Sequence, residues 1–160
     1  MIKMILCCDL NGAIGRNNDL IFNIKEDMAF FRGKTYHNAV LMGLNTYLSL
    51  GSKPLPNRFN IVLTDKPIYV KENMATTSDL ERTIDIYRKA DIDLWVIGGA
   101  SVYNQCLQED LVDEVYITVV DEVVEDADTF VFLGLLKRKF NKIERIQNIN
   151  EKTTIWKLSK

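Results

Sequence analysis

The chain has 160 residues, the length of one ordinary domain, and 47% of them are apolar, which is enough for a substantial buried core. Its 20 basic and 22 acidic residues give a net charge of −2, which excludes a general electrostatic attraction to nucleic acid or to an anionic membrane. No apolar run has the length of a membrane-spanning helix, and the first residues lack the features of a signal peptide, so we expect a cytoplasmic protein.

The cysteines and the histidine indicate the redox compartment of the protein and the kinds of catalytic site that it can form. Cys7 and Cys8 are adjacent within an apolar run, and Cys106 makes the count odd, which indicates free thiols in a reducing compartment rather than a disulfide framework. His37 is the only histidine, and the chain has no Cys-x-x-Cys pair. We therefore expect no metal site, and nothing near His37 supports a catalytic triad.

Strand-like and helix-like segments alternate along the chain. In order, the patterns predict a strand over 2–8, an irregular loop over 9–23, a helix over 25–36, a strand over 39–42, a short helix over 45–50 and a strand over 60–63. The second half is predicted to hold a weak strand near 74–76, a helix capped by Ser78, a strand over 94–97, a helix over 100–107 and strands over 115–120, 139–145 and 153–158.

This alternation predicts an α/β fold formed by a single domain over 1–160. The strands are nearly continuous in apolar residues, which is typical of a mostly parallel sheet covered by helices on both faces. The last two strands are expected to form an antiparallel hairpin at one edge. Because ligands of such sheets bind beyond the carboxyl ends of the strands, the segments 9–15, 43–46 and 98–101 are candidates for one shared cleft.

Asp27 is the most informative single residue, because it shares one side of the predicted first helix with apolar side chains, including Met28 and Phe31. A carboxylate in that position needs a hydrogen-bonding partner or acquires a raised pKa, and a ligand with its own donors would be such a partner. The alternative is ordinary helix-start chemistry, with Asn23 as the N-cap and Glu26 as its capping-box partner.

Three other features are candidates for binding. Gly98-Gly99 joins a predicted strand to a helix, and Met42-Gly43 does the same at a second strand end; each could admit a phosphate-bearing ligand or be a simple tight turn. Arg58 follows a proline-rich turn and could bind a carboxylate or be a solvated surface residue. Thr118 could support a site or be an ordinary strand residue.

Taken in order, these features resemble the dihydrofolate reductase family over nearly the whole chain. The resemblance rests on the segments Ala13-Ile14-Gly15, Asp27 with Phe31 and Thr35, Met42-Gly43, Asn45-Thr46, Pro54-Leu55-Pro56 with Arg58, Ile97-Gly98-Gly99, Val102-Tyr103, Tyr116-Ile117-Thr118 and Asp128-Thr129. It implies the reduction of 7,8-dihydrofolate to tetrahydrofolate by hydride transfer from NADPH, with Asp27 promoting protonation of N5. It also implies binding of antifolate inhibitors, and small enzymes of this type are often monomers.

The resemblance assigns roles to individual positions. The implied catalytic residues are Asp27, Phe22, Tyr103 and Thr118. The implied substrate-binding residues are Ile5, Leu6, Cys7, Asp27, Met28, Phe31, Lys53, Arg58, Ile97 and Thr118. The implied cofactor-binding residues are Cys7, Ala13, Ile14, Gly15, Asn18, Asp19, Leu20, Gly43, Leu44, Asn45, Thr46, Leu63, Thr64, Asp65, Gly98, Gly99, Ala100, Ser101, Val102 and Tyr103.

The chain also departs from the family pattern. Phe22 stands where tryptophan is usual, and Leu44 and Ser101 stand where the family usually has basic residues near the cofactor 2′-phosphate. Asp65 places an acid in the same region, with Lys66 as the one nearby candidate for a replacement charge. These departures make NADH an alternative cofactor. Two alternative functions also stay open: a related NADPH-dependent pterin or riboflavin-pathway reductase, and a catalytically idle folate- or nucleotide-binding module.

Overall fold

The computed structural model describes all 160 residues. The helices are α1 Lys25–Thr35, α2 Leu44–Ser49, α3 Leu80–Arg88, α4 Ala100–Gln108 and α5 Leu133–Lys139. The strands are β1 Ile2–Cys8, β2 Ala13–Arg16, β3 Asp19–Leu20, β4 Ala39–Gly43, β5 Phe59–Leu63, β6 Met74–Thr77, β7 Leu94–Gly98, β8 Glu114–Val120, β9 Thr129–Phe130, β10 Lys142–Asn148 and β11 Thr153–Ser159. None of the helices combines the length and the apolar character that crossing a membrane requires.

An eight-stranded sheet forms the centre of the fold, in the order β10-β11-β8-β1-β7-β4-β5-β6. The six strands from β8 to β6 pair in parallel, whereas β11 pairs antiparallel with both β8 and β10. The predicted fold class, a mostly parallel sheet with an antiparallel C-terminal hairpin, is therefore confirmed.

The sheet is covered on both faces because side chains alternate along each strand. On β1, Met4 and Leu6 pack in a core cluster that includes residues of α3, α4 and α5. Ile5 points the other way, into a smaller cluster that includes Tyr47 of α2 and contacts Phe31 of α1. The parallel strands are buried on both sides, which explains why their sequences are apolar throughout rather than alternating.

The segment 9–23, predicted to be irregular, contains two short strands. β2 pairs antiparallel with β3 and with β9, which forms a second sheet of three strands. The helix α5 is also missing from the prediction, and the strand expected from 139 begins at Lys142 instead. These elements are only two to seven residues long, so their apolar patterns are too short to show a period.

Two predicted helix caps are wrong. The N-cap position of α1 is Ile24, and no side chain caps that helix, so Asn23 and Glu26 do not form the expected capping box. For α3 the capping residue is Asp79 rather than Ser78, since the Asp79 carboxylate accepts the Arg82 N–H at 3.0 Å. Absence of the capping box removes one ordinary explanation for the acidic pair at the start of α1.

Asp9 anchors the segment that follows β1. Its carboxylate is fully buried and accepts the backbone N–H groups of Asn11 and Ala13, each at 2.8 Å. The second carboxylate oxygen accepts the N–H of Val124 at 2.8 Å, which ties the segment after β1 to the segment after β8. A buried carboxylate in a closed set of hydrogen bonds fixes both segments at the carboxyl end of the sheet.

Asp9→Asn should destabilise the protein by about 1–3 kcal/mol, because an amide has one acceptor oxygen and leaves a backbone donor unpaired. The measurement is the free energy of unfolding from urea denaturation followed by circular dichroism. Glu125→Gln, which neutralises an exposed acid, is the control and should stay close to the unchanged protein. Equal stability of the Asp9 and Glu125 variants would contradict the anchoring role.

Candidate active site

Asp27 and Thr118 meet across the gap between α1 and the central sheet. The Thr118 hydroxyl donates a hydrogen bond to the Asp27 carboxylate, and the two oxygens are 2.5 Å apart. Thr118 is buried on β8 and Asp27 is half-buried on α1. Cys7 is the partner of Thr118 in the parallel register of β1 and β8, so both side chains lie on the same face of the sheet and approach Asp27.

The electrostatics of Asp27 combine one large effect with two smaller opposing ones. Burial raises the pKa of the Asp27 carboxyl, because the charged form loses hydration. Hydrogen bonds from Thr118 and from Cys7 favour the charged form and lower the pKa in part. The net result is a pKa above the ordinary value, so this carboxyl retains its proton to higher pH than an exposed aspartate does.

Apolar residues lie between α1 and the sheet on the side of Asp27, and the region that they border is here called the crevice. Ile5 is buried, and Phe31 and Ile97 are partly buried against the same cluster. Met28 lies on the exposed side of α1, with 59% of its surface accessible, and Phe22 is half-buried just before the helix. Leu6 packs into the core on the other face of the sheet, so only its backbone is directed toward the crevice side.

Gly43, at the end of β4, and Gly98-Gly99, between β7 and α4, lie next to each other and form a site without Cβ atoms, here called the glycine junction. A Cβ built on Gly43 would lie 3.1 Å from Val102 Cγ2, and one built on Gly98 would lie 3.4 Å from both Thr46 Oγ1 and the Tyr103 hydroxyl. The backbone φ of Gly98 is +126°, a value that other residues rarely adopt. Larger side chains would therefore fill this junction, and α4 begins there without a side-chain cap on its free N–H groups.

Tyr103 connects this junction to β1. Its hydroxyl donates to the backbone carbonyl of Ile5 at 2.7 Å, and the side chain is buried. Burial raises the pKa of Tyr103 far above neutrality, so the phenol stays uncharged. Its backbone N–H donates to the Gly99 carbonyl at 2.9 Å, in the first turn of α4. The Tyr103 ring is therefore held in one position between α4 and β1.

Arg58 is buried on the segment between α2 and β5. Its side chain is only 8% exposed, donates from Nε to the Pro56 carbonyl at 2.9 Å and donates from Nη1 to Thr35 Oγ1 at 3.0 Å. The Thr35 hydroxyl in turn donates to the Phe31 carbonyl at 2.9 Å. The guanidinium is thus held in one orientation against α1, whereas Lys53 is exposed.

The remaining predicted cofactor residues lie at or after the carboxyl ends of β1, β4, β5 and β7. Ala13, Ile14 and Gly15 are buried on β2, and Asn18, Asp19 and Leu20 are exposed at the hairpin that follows. Leu44, Asn45 and Thr46 begin α2, and Ala100, Ser101 and Val102 begin α4. Leu63 ends β5, and Thr64 and Asp65 follow it directly. The fold thus brings residues from distant parts of the sequence to the carboxyl ends of neighbouring parallel strands, where cofactors of α/β proteins bind.

Two supporting residues were not predicted from the sequence. Asp9 fixes the segment after β1, and Asn104 holds β9 by donating to the Phe130 carbonyl at 3.1 Å and accepting the Phe132 N–H at 2.9 Å. An acid directly after a continuous apolar strand and just before Asn11-Gly12 was a usable signal for Asp9. No comparable signal exists for Asn104, since its partners lie 26 and 28 residues away.

The sequence matches the family model described as dihydrofolate reductase over residues 1–158. The chain belongs to the dihydrofolate reductase family. It is 34% identical to the dihydrofolate reductase of Bacillus subtilis over 125 residues, which cover 78% of this chain and 72% of that protein. It is also 34% identical to the dihydrofolate reductase of Neisseria meningitidis serogroup B over 146 residues, which cover 91% and 87%.

A solved structure gives the same answer for the fold. Dihydrofolate reductase from Enterococcus faecalis, complexed with NADP(H) and RAB-propyl, superposes with a TM-score of 0.80 at 26% identity. The match covers 99% of this chain and 95% of that one. The predicted family, oxidoreductase activity and NADPH cofactor are therefore confirmed.

Thr118→Val and Cys7→Ala should each raise the pKa of Asp27, because each removes a hydrogen bond that favours the ionised carboxylate. The larger rise is expected for Thr118→Val, since the hydroxyl has the larger effect of the two. The measurement is a 13C NMR titration of the Asp27 carboxyl. Cys8→Ala is the control, because Cys8 packs on the opposite face of β1. A fall in pKa in either variant would contradict this arrangement.

Proposed function

We propose that this protein reduces 7,8-dihydrofolate to tetrahydrofolate with NADPH by using Asp27 as the group that binds the pterin and promotes protonation of its N5 atom. The observation that carries this proposal is the half-buried carboxyl of Asp27, which has a raised pKa and is held by the Thr118 hydroxyl beside an apolar crevice. An acid that keeps its proton closer to neutrality suits general acid catalysis at physiological pH.

The glycine junction fits the diphosphate-bearing cofactor of the family. Gly43, Gly98 and Gly99 leave space that a Cβ would fill, and α4 presents free N–H groups there. NADPH, when bound, supplies the hydride that reduces C6 of the pterin. Tyr103 and Thr46 border the same space and would orient the cofactor, while Gly98 allows close approach to the backbone.

Asp27 and its neighbours have separate tasks in this proposal. The carboxylate accepts from the 2-amino group and N3 of the pterin, and the protonated form makes a proton available for N5 through water. Thr118 keeps the carboxyl in one orientation. Ile5, Phe31 and Ile97 contact the faces of the ring and exclude bulk water, which strengthens these hydrogen bonds.

Arg58 would bind the glutamate carboxylate of dihydrofolate. Its bonds to Pro56 and Thr35 fix the guanidinium before substrate arrives, so little conformational entropy is lost on binding. Exposed Lys53 lies on the same turn and would add positive charge. Phe22 keeps an apolar wall near the helix start but has no indole N–H to position a water.

We also propose that the chain forms one domain over 1–160 and acts as a cytoplasmic monomer. Strands from both ends of the chain, β1 and β11, share the single large sheet, which supports one domain. The three cysteines are all free, in keeping with a reducing compartment. Size-exclusion chromatography with light scattering tests the monomer directly, and a dimer mass at micromolar concentration would refute it.

Asp27→Asn should lower turnover of dihydrofolate at neutral pH by roughly 10²-fold or more, because an amide cannot supply the proton. Stopped-flow absorbance of NADPH oxidation measures the effect, and activity should recover in part at low pH, where the substrate is already protonated. Glu26→Gln is the matched control, since Glu26 is the exposed neighbour on the same helix. Full activity of the Asp27 variant, or turnover of a riboflavin-pathway pyrimidine instead of dihydrofolate, would refute the proposal.

Arg58→Lys should raise KM for dihydrofolate about tenfold with little change in kcat, because lysine cannot form the bidentate pair with a carboxylate. A dihydropterin without the benzoylglutamate tail provides the internal control, and its kinetic constants should be the same for both proteins. An equal loss with the tailless substrate would mean that Arg58 supports α1 and does not bind the tail.

A further inference from the structure

A cavity of about 470 Å³ lies away from Asp27, since none of the residues that surround Asp27 contributes to its lining. It lies between the carboxyl end of β5, the start of α3 and the C-terminal half of α4. Its lining includes Leu63, Ser78, Asp79, Glu81, Gln105 and Glu109. The role of this cavity in cofactor binding rests on the proposed function, in which a reduced dinucleotide binds at the glycine junction.

The adenosine half of that dinucleotide would extend away from Asp27. Its nicotinamide must lie near Asp27, beside Ile5 and Ile97, to reduce a pterin held there. The diphosphate would be held at Gly99 and the start of α4. The remaining half would then extend past the N-terminal turn of α4 toward Gln105 and Leu63, both of which line this cavity.

The charge of this cavity is wrong for an additional phosphate. Three carboxylates line it, from Asp79, Glu81 and Glu109, and neither lysine nor arginine does. A fourth acid, Asp65, is exposed just beyond the end of β5. A dianionic phosphate placed among these groups would be repelled, whereas ribose hydroxyls can donate hydrogen bonds to them.

None of the salt bridges in the structure involves Asp79, Glu81 or Glu109. The helix starts that flank the junction carry Leu44 and Ser101, which are neutral. Lys66 and Arg82 are close in sequence, but both are exposed and neither lines the cavity. The residues present therefore fit the nicotinamide, the diphosphate and an unmodified adenosine, and they do not fit the 2′-phosphate.

We infer that the acidic cavity formed by Asp79, Glu81 and Glu109 removes the usual selection for the 2′-phosphate, so that NADH serves as hydride donor about as well as NADPH. Specificity in dinucleotide sites depends on whether the group near the ribose 2′ position is a cation or an acid. Here the acids disfavour the phosphate without preventing its binding, since the cavity is open to solvent and water screens the repulsion.

The binding test uses adenosine fragments and needs no turnover. Isothermal titration calorimetry should give adenosine 2′,5′-bisphosphate no advantage over adenosine 5′-monophosphate. In steady-state assays with dihydrofolate, kcat/KM for NADPH and for NADH should agree within about tenfold, which is less than a charge-assisted hydrogen bond to the 2′-phosphate would contribute. A bisphosphate that binds, or an NADPH that reacts, more than about tenfold better would overturn the inference.

A second test depends on the sign of the effect. The triple variant Asp79→Asn, Glu81→Gln, Glu109→Gln should raise the NADPH-to-NADH ratio of kcat/KM, and asparagine at 79 keeps the helix cap. The matched control neutralises three exposed acids elsewhere, with Asp121→Asn, Glu144→Gln and Glu151→Gln, and should leave the ratio unchanged. Added KCl should raise the ratio in the unchanged protein, because salt screens repulsion of the 2′-phosphate. A ratio that falls with salt would show a cationic site and overturn the inference.

The variant Lys66→Ala tests whether Lys66 contacts the 2′-phosphate. If Lys66 supplied a phosphate contact, the variant would lose affinity for the bisphosphate but not for the monophosphate, and that result would overturn the inference. We expect the variant to change the affinities for the bisphosphate and the monophosphate by the same factor. Failure of the proposed function looks different, because neither NADPH nor NADH would then be oxidised when dihydrofolate is added.

Discussion

The hydrogen bond from Thr118 to Asp27 is the contact on which the site depends, because it joins α1 to β8 at the place where the crevice opens. Without it, the half-buried carboxyl would keep only the weaker hydrogen bond from Cys7. With it, burial and hydrogen bonding act on the pKa of Asp27 in opposite directions, and burial has the larger effect. The protein thereby holds an acid that is both oriented and easier to protonate than a surface aspartate.

The parallel sheet positions the other residues of the site. Adjacent strands β8, β1, β7, β4 and β5 end at one edge, so their following segments converge without any long-range design of the loops. Glycines at two of those ends keep the edge open, and Tyr103 bridges it to β1.

Much of this could be predicted from the sequence, and the limits have physical causes. Strands such as β1 and β7 were placed within a residue, because buried parallel strands have continuous apolar runs. Asp27 was a candidate because an acid among apolar side chains is costly, and the resemblance to the family favoured it over ordinary helix-start chemistry. The small sheet of β2, β3 and β9 was missed because it depends on Asp9 and Asn104, whose partners are remote in the sequence. The contact of Cys7 with the site depends on the register of β1 against β8, which no local pattern records.

The most direct measurement is a crystal structure of the protein with a bound antifolate such as methotrexate. We predict that the pteridine ring lies in the crevice between Ile5 and Phe31, with its amino group and ring nitrogen hydrogen-bonded to the Asp27 carboxylate. A ring bound elsewhere, with Asp27 left in contact only with Thr118 and solvent, would contradict the assignment of Asp27 as the residue that recognises the substrate.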